Sequence, residues 1–143
     1  MRKALTICAV LCAMAAMTAC KNGTSQPESD TLVQNEQSRG GSIITVDATI
    51  FSEVAFLDGV LLIDVRTPEE YAEGHIRGAV NIDVKADDFD ESIKDLEGNV
   101  AVYCRGGKRS LDAAVKLAGN GCRVYNLEGG IKEWKEMGFP VEQ

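Results

Sequence analysis

Residues 42–143 are predicted to form an α/β domain with a mainly parallel central sheet of about five strands and helices on both faces. Three observations predict this. Short β-branched runs alternate with helix-period segments, the pattern of βα units. Residues 60–65 and 100–103 are almost continuously apolar, as strands buried on both faces are. Helix start and stop signals fall between the runs, at Thr67-Pro68 and at Gly119-Asn120-Gly121.

Taken in order, Ile43-Ile44-Thr45-Val46 is a first strand. Asp47 caps a helix on which Ile50, Val54 and Leu57 recur at helical spacing. Residues 60–65 form the second strand. Thr67-Pro68-Glu69-Glu70 opens a helix, with Thr as cap, Pro in the first turn and Glu near the positive end. Residues 76–82, interrupted by Gly78, read as a short extended piece, and 92–96 as a short helix. Residues 100–103 are a buried strand. A helix over 109–118 places Leu111, Ala114, Val115 and Ala118 on one face. Residues 124–127 make the last strand, and Gly129-Gly130 open a final helix through Trp134.

The chain ahead of this domain reads differently. Arg2 and Lys3 precede an apolar run over 4–16, too short to span a bilayer as an ordinary helix. This is the form of a secretory signal, residues 1–19. It ends Met17-Thr18-Ala19-Cys20, which resembles the lipobox of bacterial lipoproteins, with Met in place of the usual Leu. That resemblance implies cleavage before Cys20 and lipidation of its thiol. It implies a domain anchored to a membrane of the bacterial cell envelope and facing the periplasm. Lys21-Asn22 carries no acidic retention signal, which favours the outer membrane. The remainder of 20–41, rich in Ser, Gln, Asn, Glu and Gly, is a flexible tether.

The composition excludes several functions. The 143 residues carry a net charge of −7, which argues against non-specific nucleic-acid binding. Five Cys and one His leave little room for a multi-His metal centre, and no metal or cofactor is expected.

Cys104-Arg105-Gly106-Gly107-Lys108-Arg109-Ser110 is the most informative stretch. A Cys stands at the carboxyl end of a buried strand, the edge at which ligands bind in open α/β sheets. The glycines allow the loop to curl with its N–H groups inward. Arg105, Lys108 and Arg109 add positive charge, and a helix start follows. All of this favours an anion at the centre, and a thiolate is the nucleophilic form of Cys. Asp64 and Arg66 flank a strand end as a partly buried pair, and His75 is read as scaffold. Trp134 packs the last helix on the sheet. Cys122 begins its strand whereas Cys104 ends its own, so the two cannot form a disulfide and Cys122 is a small buried hydrophobe.

Three segments carry a family resemblance over about 43–141. They are the six-residue loop from Cys104 to Arg109; Leu62-Ile63-Asp64-Val65-Arg66-Thr67-Pro68-Glu69-Glu70-Tyr71 with Gly74-His75-Ile76-Arg77-Gly78-Ala79; and Leu127-Glu128-Gly129-Gly130 with Trp134. Together they resemble a single-domain rhodanese, a sulfurtransferase. The resemblance implies that Cys104 takes the outer sulfur of a small anionic donor such as thiosulfate and becomes a persulfide. A thiophilic acceptor then removes it: cyanide, a thiol or a thioredoxin-like protein. Arg105, Gly106, Gly107, Lys108 and Arg109 would bind the donor and the persulfide, with Arg109 alternatively turned inward or paired with an acid of the scaffold. Cysteine phosphatases place five residues between Cys and Arg, whereas four lie between Cys104 and Arg109. The shorter loop disfavours phosphatase or arsenate-reductase chemistry. A non-catalytic binding module and a thiol-redox relay are the other readings, and the retained Cys speaks against the first.

Overall fold

The structure is a computed structural model and describes residues 40–143. The signal segment, Cys20 and the tether as far as residue 39 lie outside the described residues. Ten elements alternate: β1 (Ser42–Val46), α1 (Ala48–Val54), β2 (Val60–Asp64), α2 (Pro68–Ala72), β3 (Val80–Asn81), α3 (Phe89–Ile93), β4 (Asn99–Tyr103), α4 (Lys108–Gly119), β5 (Arg123–Leu127) and α5 (Gly130–Glu136). The five strands form one sheet in the order β1-β5-β4-β2-β3, with every pairing parallel. The expected sheet is therefore present.

β4 lies at the centre and is buried on both sides, which explains its continuous apolar run. Its Val100 and Val102 face a cluster with Phe89 and Ile93 of α3 and Ala113, Ala114 and Leu117 of α4. Ala101 and Tyr103 face the opposite cluster, with Phe51 of α1 and Ile131 and Trp134 of α5. The alternation of side chains along one strand thus divides the core into two layers. Trp134 sits at the middle of the second layer, edge-on to Phe51 at 6.3 Å between ring centroids, as expected of a packing residue.

Three helical details differ from expectation. On α1 the inward residues are Ala48 and Phe51, while Ile50 and the following Leu57 are exposed. On α4 they are Ser110, Ala113, Ala114 and Leu117, while Leu111 and Val115 face outward. On α4 a face of mostly small residues lets the helix lie close to the sheet, and on α1 the single ring of Phe51 fills the space beside Ala48; in both the other aliphatics are left outside. The third helix begins earlier, at Phe89, because that ring anchors the α4 side of the core. β1 is an edge strand, so Ile43 and Ile44 stay partly exposed. Cys122 immediately precedes β5, whose Arg123 pairs with Asn99 at the start of β4. Cys104 follows the end of β4, about 20 Å away along the strand. Both thiols are buried and free.

The loops that leave β2 and β4 turn toward opposite faces. α2 lies with Tyr71 on the α1–α5 side, and α4 lies on the other. The crevice opened between adjacent strand ends is where a doubly wound sheet accepts a ligand.

Candidate active site

Cys104 stands at this crevice, at the end of β4, and is 1% exposed. Its Sγ accepts a hydrogen bond from the Gly107 N–H at 3.2 Å, so the loop curls with a backbone donor aimed at sulfur. The curl requires Gly107 to adopt φ +88°, and Gly107 is also the cap residue of α4. A Cβ there would lie 1.7 Å from the Glu128 carbonyl oxygen, so the loop rests directly on the turn after β5. Gly130 completes that contact. With φ +61°, it brings α5 against the loop so that the Ile131 and Lys132 N–H groups donate to the Cys104 and Arg105 carbonyls at 2.8 and 3.2 Å. The buried Ser110 hydroxyl donates to the Gly107 carbonyl at 2.9 Å. The loop is therefore held from outside by the 127–134 segment, through the turn after β5 and the start of α5, and from within by its own continuation into α4.

The cations of the loop are used unequally. Arg109 is turned aside into a two-pronged pair with Glu70, at 2.7 and 2.8 Å, the arrangement with an acid of the scaffold left open above. Arg105 and Lys108 are exposed and form no ion pair among the described residues. Glu70 was missed as a site residue because its place in the Thr67 helix start accounts for it locally. It does serve there, accepting from the Thr67 N–H while Thr67 Oγ1 accepts from the Glu70 N–H. The same carboxylate binds the first turn of α4 across the crevice.

The Arg109 guanidinium, with the Thr67 N–H, holds the Glu70 carboxyl at about 2, well below its ordinary 4.5. A carboxylate depressed in the folded state contributes stability that is fully present above its unfolded value. That stability is lost as pH falls from about 4.5 to about 2. Glu70→Gln is expected to lower stability by about 1–2 kcal/mol at pH 7. Its deficit relative to the wild type should shrink below pH 4.5 in urea titrations at several pH values. A deficit independent of pH would mean that the pair contributes nothing.

Asp64 and Arg66 form a fully buried pair rather than a partly buried one, with Arg66 Nη2 2.6 Å from Asp64 Oδ2. Arg66 also donates to the Gly74 carbonyl at 2.8 Å, and Asn81 donates to the backbone of both pair members. These bonds stitch β2, β3 and the loop after α2 together beside the site, and they leave few of the pair's polar atoms unpartnered. His75 is scaffold. Its ring stacks on Tyr71 at 3.8 Å between centroids, and its backbone forms an antiparallel bridge with Glu142.

A cleft of about 400 Å³ adjoins the loop, lined by Arg66, Glu70, Glu73, Arg105, Ile131, Lys132 and Lys135. Of the residues singled out in the loop, only Arg105 is on its wall. Lys132 and Lys135 were missed, although their spacing on the helix after Gly129-Gly130 would have placed them on one side. Among the described residues, no three or more His, Cys, Asp or Glu side chains come together in a group that could hold a metal ion.

The fold and site define a class: a doubly wound α/β domain that presents a strand-end cysteine inside a glycine loop rimmed by cations. The chain belongs to the rhodanese-like domain family, whose family model matches residues 47–137. It is 37% identical over 98 residues to a sulfurtransferase of Allochromatium vinosum, covering 67% of this chain and 92% of that one. It is 38% identical over 87 residues to the thiosulfate sulfurtransferase GlpE of Pseudomonas entomophila, covering 59% of this chain and 78% of the relative. Among solved structures, a rhodanese-related protein from Thermoplasma volcanium superposes with a TM-score of 0.61 at 33% identity, covering 68% of this chain and 96% of the other.

Proposed function

We propose that the protein is a sulfurtransferase that moves a sulfane sulfur from thiosulfate, or a persulfide donor, to a thiophilic acceptor through a persulfide on Cys104. The observation that carries this reading is the Gly107 N–H donating to a strand-end sulfur inside a loop held against the start of α5. Sγ attacks the outer sulfur of thiosulfate, the S–S bond breaks, and sulfite departs with the electron pair. The acceptor then attacks the outer sulfur of the persulfide, and Cys104 leaves as a thiolate. Two half-reactions through one covalent intermediate give ping-pong kinetics. Inward backbone N–H groups stabilise the charge on sulfur at both stages. Arg105, exposed at the loop and unpaired among the described residues, is the cation free to hold the sulfonate, with Lys108 beside it.

The test is intact mass before and after thiosulfate. The chain should gain one sulfur atom, and cyanide should remove it; a folded protein that gains none overturns the reading. Arg105→Ala should raise the thiosulfate KM about tenfold with kcat little changed, as loss of a charge-assisted hydrogen bond would. We also propose that Cys20 is lipidated and that the domain is anchored in the cell envelope, facing the periplasm. The support is the basic start, the apolar run and the small residues before Cys20. Metabolic labelling with a fatty acid, lost in Cys20→Ala, tests this.

A further inference from the structure

The cleft beside the loop is far larger than thiosulfate and lies within the size range of small-molecule sites. Its charges are not symmetric. On the α5 side stand Lys132 and Lys135, with Arg105 at the mouth. Arg105 and Lys135 have no ion-pair partner among the described residues, and Lys132 is only loosely paired, 3.6 Å from Glu136. On the α2 side stands Glu73, whose carboxylate has no hydrogen-bond or ion-pair partner among the described residues. The nearby Glu70 is occupied by Arg109. Arg66 forms part of the wall but is spent on Asp64 and the Gly74 carbonyl. The free groups are thus two or three cations facing one carboxylate. The cleft lies beside the loop that carries the reacting sulfur. Arg105 follows Cys104 in the chain, and Ile131, on the wall, donates its N–H to the Cys104 carbonyl. Cys104 itself is buried, but the outer sulfur of a persulfide projects about 2 Å further out.

We infer that this cleft is the acceptor subsite and that it takes an amino-acid or short-peptide thiol, bearing both carboxylate and ammonium. The inference rests on the persulfide reading of Cys104 and deepens it. The carboxylate lies toward Lys132 and Lys135 and the ammonium toward Glu73, which directs the thiol at the loop. The thiolate of the acceptor forms a bond to the outer sulfur while the bond from that sulfur to Sγ breaks. The electron pair of the broken bond stays on Sγ. The products are the acceptor persulfide and the Cys104 thiolate, with no external oxidant or reductant.

Four simple thiols separate the two charges: cysteine has both, 3-mercaptopropionate the carboxylate, cysteamine the ammonium and 2-mercaptoethanol neither. The full chain is first loaded with thiosulfate and the added sulfur verified by mass. The decay of the persulfide is then followed in a single turnover with each thiol. In Lys132→Ala/Lys135→Ala, the rate with cysteine or 3-mercaptopropionate, relative to 2-mercaptoethanol, should fall about fivefold from its wild-type value. In Glu73→Gln, the relative rate with cysteine or cysteamine should fall about threefold. Each comparison is made between variant and wild type for one thiol, so intrinsic nucleophilicity cancels. Loading followed by unchanged relative rates would overturn the acceptor subsite while leaving the persulfide reading intact. Failure to load would overturn both.

Discussion

Cys104→Ser is expected to abolish sulfur loading and to lower turnover at least ~10³-fold, while the protein remains folded. The physical argument has two halves. Serine differs from cysteine by one atom at a fully buried position, and its oxygen can accept the Gly107 N–H bond that Sγ accepts now. The loop therefore keeps its curl, and its contacts with the β5–α5 turn do not involve the side chain at all. What is lost is the nucleophile. An alcohol oxygen at this position has no base to remove its proton, because the sole His in the chain, His75, is committed to Tyr71 and the Glu142 bridge. Nor would it form a bond to sulfur that an acceptor could afterwards exchange. The check is intact mass after thiosulfate, a coupled thiocyanate assay, and a urea unfolding curve. Turnover within tenfold of the wild type would remove Cys104 from the mechanism. Loss of activity together with loss of the unfolding transition would show instead that the thiol is structural, the reading that suits Cys122.

The contrast between these two thiols shows why the site was largely legible in the sequence. Cys104 stands where a continuously apolar strand meets two glycines and several cations, and each of those signals is local. Strand order was not local, yet the alternation of runs and helical segments left a parallel sheet as the economical arrangement, and burial of β4 followed from its composition. What the sequence concealed depends on distance across the crevice. Glu70 lies 39 positions from Arg109, and nothing in either segment says that they meet. A helix-capping motif already accounted for Glu70, which hid its second use. The helical faces were misjudged for a related reason. Spacing on α4 favoured Leu111 and Val115, but Ala113 and Ala114 are what allow the helix to approach the sheet closely. Large aliphatics are a good sign of burial only when the separation of layers is set by them. The cations of α5 were likewise silent until the fold brought them beside Arg105.

Gly107→Ala is expected to destabilise the domain by about 3 kcal/mol or more and to lower sulfur transfer by at least ~100-fold in whatever fraction still folds. Two independent penalties act at this one residue. A φ of +88° is unfavourable for any side chain, and the added Cβ would lie 1.7 Å from the Glu128 carbonyl oxygen. Neither neighbour can yield cheaply. On one side, the Gly107 carbonyl accepts from the Ser110 hydroxyl and the Leu111 N–H at the start of α4. On the other, the turn after β5 is fixed by the Glu128 N–H, which donates to the Val46 carbonyl of β1 at 3.0 Å. Relief must therefore come from moving the loop, and the Gly107 N–H that donates to Cys104 Sγ moves with it. Gly106 provides the control. Its φ is not positive and a Cβ there would meet nothing within 4 Å, so Gly106→Ala should change stability by no more than about 0.5 kcal/mol. Paired urea titrations with a common m-value measure the difference. Equal stability of the two variants would mean that the loop does not rest on the β5–α5 turn. A marginal Gly107→Ala protein that nevertheless loads sulfur at the wild-type rate would mean that the donor on Sγ is dispensable, and that stabilisation of the persulfide lies with the remaining N–H groups of the loop.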